Sequence, residues 1–269
     1  MVERVPATDR TELLADVAEM YFLEGQNQEQ IARTVGVTRS MVSRMLTEAR
    51  RLGIVQIRIC RPLQFEEELE SSLIETFGLH DAFVWRRKDL DEGHLLRGLG
   101  AAGAHALKGL IKPHMTLGVD WGTAVNATVE ALEFEAPIPI RVVQLSGALG
   151  ARSLGYDPYA VARRLAHKLG GESFHLNAPF LVENEETARA LLADRSLGEA
   201  IALGKQCHMT LLGVGSADPQ YSTLYIAGYT SLETLEALLC AGAVGQVCGW
   251  HFDAEGRLLD VEFHRRVIA

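Results

Sequence analysis

Cysteine is scarce in this chain, and none of it sits in a metal-binding or redox spacing. The four cysteines, Cys60, Cys207, Cys240 and Cys248, form no CxxC pair, and the nine histidines cluster with none of them. Structural zinc and a disulfide framework are therefore not expected, and buried free thiols in a reducing compartment are. Long apolar runs are missing too. The uncharged stretch Ala237 to Trp250 is short and broken by glycine, and MVERVPATDRTE has no apolar core for a secretion signal. The expectation is a cytoplasmic protein with no membrane partner. Excess positive charge is absent, with a formal net charge of −9, which argues against a chain that coats nucleic acid along its whole surface.

The charge is uneven, however. Asn27 to Arg61 holds seven arginines (33, 39, 44, 50, 51, 58 and 61) against Glu29 and Glu48, a local balance of +5. A basic patch on an acidic chain suits a small nucleic-acid module joined to another kind of domain. The same stretch contains QEQIARTVGVTRSMVSRMLT, Gln28 to Thr47. Ile31, Ala32 and Val35 mark the inner face of one helix. Gly36 stands where the chain must turn, and Val42, Met45 and Leu46 mark the inner face of the next. Asn27 with Gln30 reads as a capping box, and Thr38 as the second cap. Arg39, Ser40, Ser43 and Arg44 share the outer face, where a recognition helix makes its contacts. A plain helical hairpin in a core is the alternative reading. Thr11 to Leu23 reads as a preceding helix. Ile54 to Ile59 alternates as a short wing strand from which Arg58 would reach phosphate. Arg61-Pro62 marks a boundary. A helix is expected over Phe65 to Phe77, for packing or dimer formation or buried in its own domain.

From residue 80 short β-like runs alternate with helical stretches. The runs are Asp81–Trp85, Thr116–Val119, Ile140–Leu145, Ser173–Leu176 and Met209–Val214. Helices are expected near 92–111, 122–133, 158–169, 185–203 and 231–241. The pattern predicts a mainly parallel sheet with helices on both faces, closed by a hairpin pairing Val247–Phe252 with Arg257–Val261. Three strand ends are glycine-rich: Leu117 to Asn126, Gln144 to Gly150 and Leu211 to Ser216. Ligands of open α/β sheets bind at such ends, and Gly122-Thr123 would open a helix toward phosphate. Catalytic groups are not apparent. His175 and His208 read as core or edge residues, Asp120 as a pocket group or a turn carboxylate, and Lys168 and Lys205 as solvated. No catalytic residue, metal ligand or cofactor is assigned.

In combination these motifs resemble the SorC family of bacterial sugar-responsive regulators, within the DeoR-like group. The resemblance rests on LEGQNQEQIARTVGVTRSMVSRMLTEARRLGIVQIRI, LGVDWGTAV, VVQLSGALG, HLNAPFLV, MTLLGVGS and LCAGAVGQVCGWHFDAEG, in the family's order. It implies a winged helix-turn-helix DNA-binding domain over 1–60. A Rossmann-like, sugar-phosphate-isomerase-like effector-binding and oligomerisation domain would follow over 61–269. It also implies a dimer or homotetramer on inverted-repeat operator DNA, controlled as a repressor by a phosphorylated sugar. Gln28, Thr38 and Arg58 would join the DNA contacts. Trp121, Gly122 and Thr123 would lie at the phosphate end, with Ser146, Gly147, Ala178, Pro179, Gly215 and Gln246 around the pocket. Two departures bear on the effector. Gln246 stands where the family's GAVGD motif has an acid. The family's final segment with its glycine-glycine…lysine motif does not follow His264–Ala269, so a truncated chain or an altered effector site is expected. An isomerase-like enzyme with an appended helical domain, and a regulator without small-molecule control, remain the alternatives.

Overall fold

A computed structural model describes residues 7–57, 62–86, 92–150 and 157–269. The chain divides into two compact units, Met1–Pro62 and Leu63–Ala269.

The first unit is three helices: α1 (Ala7–Phe22), α2 (Gln28–Val35) and α3 (Arg39–Arg51). Apolar residues at helical spacing converge on one small core of Leu14, Val17, Ala18, Ile31, Ala32, Val42, Met45, Leu46 and Ala49. The expected capping box is present. The Asn27 side chain accepts the N–H groups of Glu29 (3.1 Å) and Gln30 (3.0 Å), and the Asn27 N–H donates to the Gln30 side chain (2.9 Å). Gly36 follows α2 with φ 73°, which only glycine adopts freely, and the chain reverses there. Thr38 caps α3 by accepting the Met41 N–H at 3.3 Å. Residues 54–57 pair with no strand, although Ile54 and Val55 pack on the core. The rest of the expected wing, with Arg58, lies outside the described residues.

The second unit begins with α4 (Glu67–Phe77) and α5 (Glu92–Leu110). The strand expected at Asp81–Trp85 is reduced to a single bridge between Trp85 and Phe65. Phe65 therefore stands before α4, not in it. There follow β1 (Thr116–Val119), α6 (Thr123–Ala131), β2 (Arg141–Gln144), α7 (Pro158–Leu169) and β3 (Glu172–Phe174). Next come α8 (Glu185–Leu192), α9 (Gly198–Lys205) and β4 (Met209–Leu211). The four strands are parallel in the order β3-β2-β1-β4. Both faces of β1 are buried, as expected of a parallel strand covered by helices. Leu117, Val119 and Val142 pack with Val125 and Val129 of α6 and Val161, Leu165 and Leu169 of α7. The single helix expected over 185–203 is two, separated where Asp194 accepts the N–H and hydroxyl of Ser196 and competes with the helical ladder.

The chain closes with β5 (Gly215–Ser216), α10 (Thr223–Ile226), α11 (Leu232–Cys240), β6 (Gly245–Val247) and β7 (Trp250–Phe252), then a 3-10 turn over Glu262–Arg266. The terminal hairpin is tighter than expected. Strand β6 pairs with β7 across a two-residue turn, Cys248 (φ 52°) and Gly249 (φ 81°), and 257–261 contributes only the Phe252–Leu258 bridge. Both positive φ values mark a primed hairpin turn, which the sequence Cys-Gly does not announce as Asn-Gly would. Val267 and Ile268 are stitched into the unit: Leu181 bridges Val267, Ile268 N–H donates to Phe180 O, and Gly147 N–H donates to Ile268 O, both at 2.8 Å.

Candidate functional site

In the first unit the residues expected to contact DNA lie on the outer face of α3. Arg39, Ser40, Ser43 and Arg44 are all exposed. So are Thr47 and Arg51, which extend the row Ser40, Arg44, Thr47, Arg51 along one side and were not singled out from sequence. The helical period places them there once the start of α3 is fixed. Gln28 is half-buried at the start of α2, and Thr38 is exposed as the cap. The two acids of the basic segment are both paired: Glu29 with Arg33 of the same helix at 2.8 Å, and Glu48 with Arg10 of α1 at 2.7 Å. The hydrogen bond from Arg10 holds the Glu48 carboxyl below its ordinary range. Among the described residues neither Arg39 nor Arg44 has a carboxylate partner, so the α3 face keeps its positive charge.

In the second unit strand order reverses beside β1: the chain runs outward from β1 through β2 to β3 on one side, then crosses back to place β4 on the other. The crevice beyond the carboxyl ends of such strands is where an open α/β sheet binds ligands. Gly122 enters α6 there with φ 147°, and exposed Thr123 is its first residue. The adjacent Trp121 side chain points into the interior instead. It is 6% exposed and meets Phe180 edge-on at 5.9 Å between ring centroids. Gly147 marks a close approach of two backbones: a Cβ there would lie 2.4 Å from the Pro179 carbonyl oxygen. Ala148 N–H donates to Ala178 O (2.7 Å), while Pro179 is exposed. Ala178, Pro179 and Gly147 thus form one seam. Gly215 and Gln246 face each other across β5 and β6.

At the centre of these strand ends lies Asp120, 3% exposed. Its carboxylate accepts hydrogen bonds from the Ser146 hydroxyl, the Trp121 N–H, and the thiol and N–H of Cys248. It neither caps α6 nor faces solvent. It knots the end of β1 to the end of β2 and to the β6–β7 turn. Burial pushes the Asp120 carboxyl above the usual range despite these donors, and burial together with Asp120 pushes the Cys248 thiol up. Gln246 is buried and turned inward, its carboxamide oxygen accepting the Gly249 N–H at 2.8 Å. Ser146 is fully buried, its hydroxyl committed to Asp120.

The histidines resolve in kind. His208 accepts the Thr116 N–H on Nδ1 at 3.0 Å. Gln144 donates to Ser146 O (2.7 Å), so its oxygen accepts from His175 Nδ1 at 3.3 Å. Burial, then the charge of Arg163, lowers the His175 pKa. His251 and His264 form a buried pair, with Nδ1 of the first 3.2 Å from Nε2 of the second. His264 Nδ1 donates to Leu259 O (2.8 Å), so its Nε2 is the acceptor, and it also takes the His251 N–H at 2.8 Å. Lys168 donates to Glu130 O and Leu132 O at the end of α6. Cys240 is exposed, against the expectation of burial, and Cys207 and Cys248 are half-buried. All three are free thiols. Among the described residues no three His, Cys, Asp or Glu side chains are grouped to hold a metal, and no helix is long and apolar enough to cross a membrane. Two surface clefts, about 390 and 380 Å³, are lined respectively by residues around Arg265 and around His105. None of the expected effector residues lines either.

The family model for the sugar-binding domain matches residues 61–269. The chain belongs to the SorC family of sugar-binding regulators. Among its relatives is the deoxyribonucleoside regulator of Bacillus subtilis, 28% identical over 260 residues, covering 97% of this chain and 82% of that one. The erythritol catabolism regulatory protein EryD of Brucella abortus is 28% identical, covering 94% and 79%. The full-length crystal structure of the sorbitol operon regulator SorC from Klebsiella pneumoniae superposes with a TM-score of 0.69 at 27% identity, covering 96% of this chain and 83% of that one. These SorC-family relatives are named as regulators. Their architecture agrees with an N-terminal helix-turn-helix unit followed by a parallel α/β sugar-binding unit.

Proposed function

We propose that this protein is a cytoplasmic DNA-binding transcriptional repressor whose operator affinity is set by a phosphorylated carbohydrate. The observation that carries the reading is the α3 face: Arg39, Ser40, Ser43 and Arg44 stand exposed on a capped helix with no carboxylate partner for either arginine among the described residues. Residues 1–60 are the DNA-binding domain and 61–269 the effector-binding and oligomerisation domain. Gln28, Thr38 and Arg58 add backbone contacts. A dimer or tetramer presents paired heads to an inverted repeat. The effector lies beyond the carboxyl ends of β1, β2 and β4, its phosphate toward Gly122 and Thr123, and acts by favouring one arrangement of the heads. Ser146, Gly147, Ala178, Pro179, Gly215 and Gln246 shape that pocket through backbone position more than through free side chains, as does Trp121 from beneath.

The protein is not an enzyme in this reading and takes no cofactor. Asp120 and Ser146 are bound to one another below the surface, which supports a structural knot over an acid–base pair. A mobility shift with fragments upstream of neighbouring genes, with and without pentose and hexose phosphates, tests the proposal. A shift relieved by one sugar phosphate supports it, and no shift with any fragment sinks it. Turnover of a sugar phosphate would replace it with the isomerase-like reading.

A second reading is favoured by Gln246, whose carboxamide oxygen is spent on the Gly249 N–H. A regulator without small-molecule control would show no rise in melting temperature with any sugar phosphate, since a ligand selective for the folded state must raise it.

A further inference from the structure

Every apolar residue of α3 but one is in the core: Val42 and Ala49 are fully buried, Leu46 is 5% exposed and Met45 7%. The exception is Met41, 44% exposed in the first turn. Its surroundings on the helix are polar: Thr38 and Ser40 before it, Arg44 one turn on and Glu48 two turns on. Its backbone is fixed, with the N–H held by Thr38 O (2.9 Å) and by the Thr38 hydroxyl (3.3 Å). The neighbouring groups are drawn aside. The Thr38 and Ser40 hydroxyls bond each other at 3.1 Å, Arg44 Nε lies 3.4 Å from Ser40 O, and Glu48 is held by Arg10. That leaves a flexible, polarisable thioether standing out of a charged face. A residue meant to grip phosphate oxygens would be a hydrogen-bond donor, which a thioether is not. The apolar group offered by the edge of a base pair in the major groove is the C5-methyl of thymine.

We propose that Met41 reads a thymine methyl group, and so sets base preference at one position of each operator half-site. This rests on the reading of α3 as the recognition helix. Arg39 and Arg44 supply charge and hydrogen bonds; Met41 adds discrimination by an apolar contact that water would otherwise occupy.

The test uses the full chain and an operator obtained by selection from a random duplex pool at fixed salt. Each thymine is replaced in turn by deoxyuridine, which removes one methyl and nothing else. With the wild-type protein one thymine per half-site should matter, its replacement weakening binding about three- to fivefold, the worth of one buried methyl group. With Met41→Ala and Met41→Gln that penalty should vanish, while melting temperatures stay unchanged because the side chain is exposed. If no thymine position couples to residue 41, the proposal fails. It fails equally if Met41→Ala changes the oligomeric state and leaves the methyl penalty intact. Failure of the underlying reading looks different: Arg39→Ala and Arg44→Ala would then leave binding unchanged, or no operator would be selected.

Discussion

Asp120 at the end of β1 receives both the thiol and the backbone N–H of Cys248, a residue of the β6–β7 turn, and so joins two sheets through one buried carboxylate. Removing it strands the Ser146 hydroxyl and the Cys248 N–H below the surface. Asp120→Ala should therefore cost about 2–3 kcal/mol, the usual penalty for orphaned buried donors. Urea unfolding followed by fluorescence measures it; a loss under about 0.5 kcal/mol would show that the knot holds little.

The ionisation of Asp120 has an unusual sign. Its folded pKa is raised by burial above the ordinary 3.8, so between the two values the folded state holds the extra proton. Its contribution to stability is full below 3.8 and falls as pH rises through the folded value. Asp120→Asn should remove this component from the pH profile of stability. An unchanged profile would contradict the assignment.

The His251–His264 pair acts the other way. Burial first, and His264 second, lower the His251 pKa from 6.5 to about 4, and burial lowers that of His264. Between those values the unfolded chain takes up protons that the folded chain refuses. Stability is full above pH 6.5 and should be lost as pH falls toward 4, by about 3 kcal/mol for His251. His251→Phe should flatten that fall. It should also be nearly neutral at pH 7.5, because Nε2 of His251 is buried with no partner and phenylalanine removes it. Melting temperatures from pH 4.5 to 7.5 decide both points.

On α3, Arg39→Ala should cost about 1–3 kcal/mol of operator affinity if the guanidinium grips a base edge. Arg44→Ala, as a phosphate contact, should lower the dependence of log affinity on log salt by about one unit. Titrations at several salt concentrations separate the two roles. Equal loss on all sequences for Arg39 would move it to the backbone class.

Gly147→Ala tests the seam beneath the pocket. The new methyl would meet Pro179 backbone, which cannot swing aside as a side chain can. A destabilisation of about 2 kcal/mol or more is expected, read as a lowered melting temperature of the second unit.

Local chemistry made much of this legible. Asn27, Gln30, Gly36 and Thr38 announce their caps and turn because each role requires a particular short side chain or none. The alternation of apolar runs with helices gives the parallel sheet for the same reason. What stayed hidden depends on distant partners. Nothing near Asp120 in sequence says that Ser146 and Cys248 will donate to it. Trp121 looked like a pocket residue beside Gly122, yet Phe180 takes it inward. Gln246 looked like a sugar ligand, and a turn three residues on claims its oxygen. The break between α8 and α9 turned on a single Asp194–Ser196 contact, too local for periodicity to show.

The stitching of Val267 and Ile268 between the loops after β2 and β3 has a consequence for biosynthesis. Gly147 N–H and Phe180 O find their partners only in residue 268, so the second unit stays unfinished until that residue clears the ribosome. The first unit has its own core and can close while the rest is still being translated. During synthesis, the arginine-bearing helix is therefore ready before the domain proposed to restrain it.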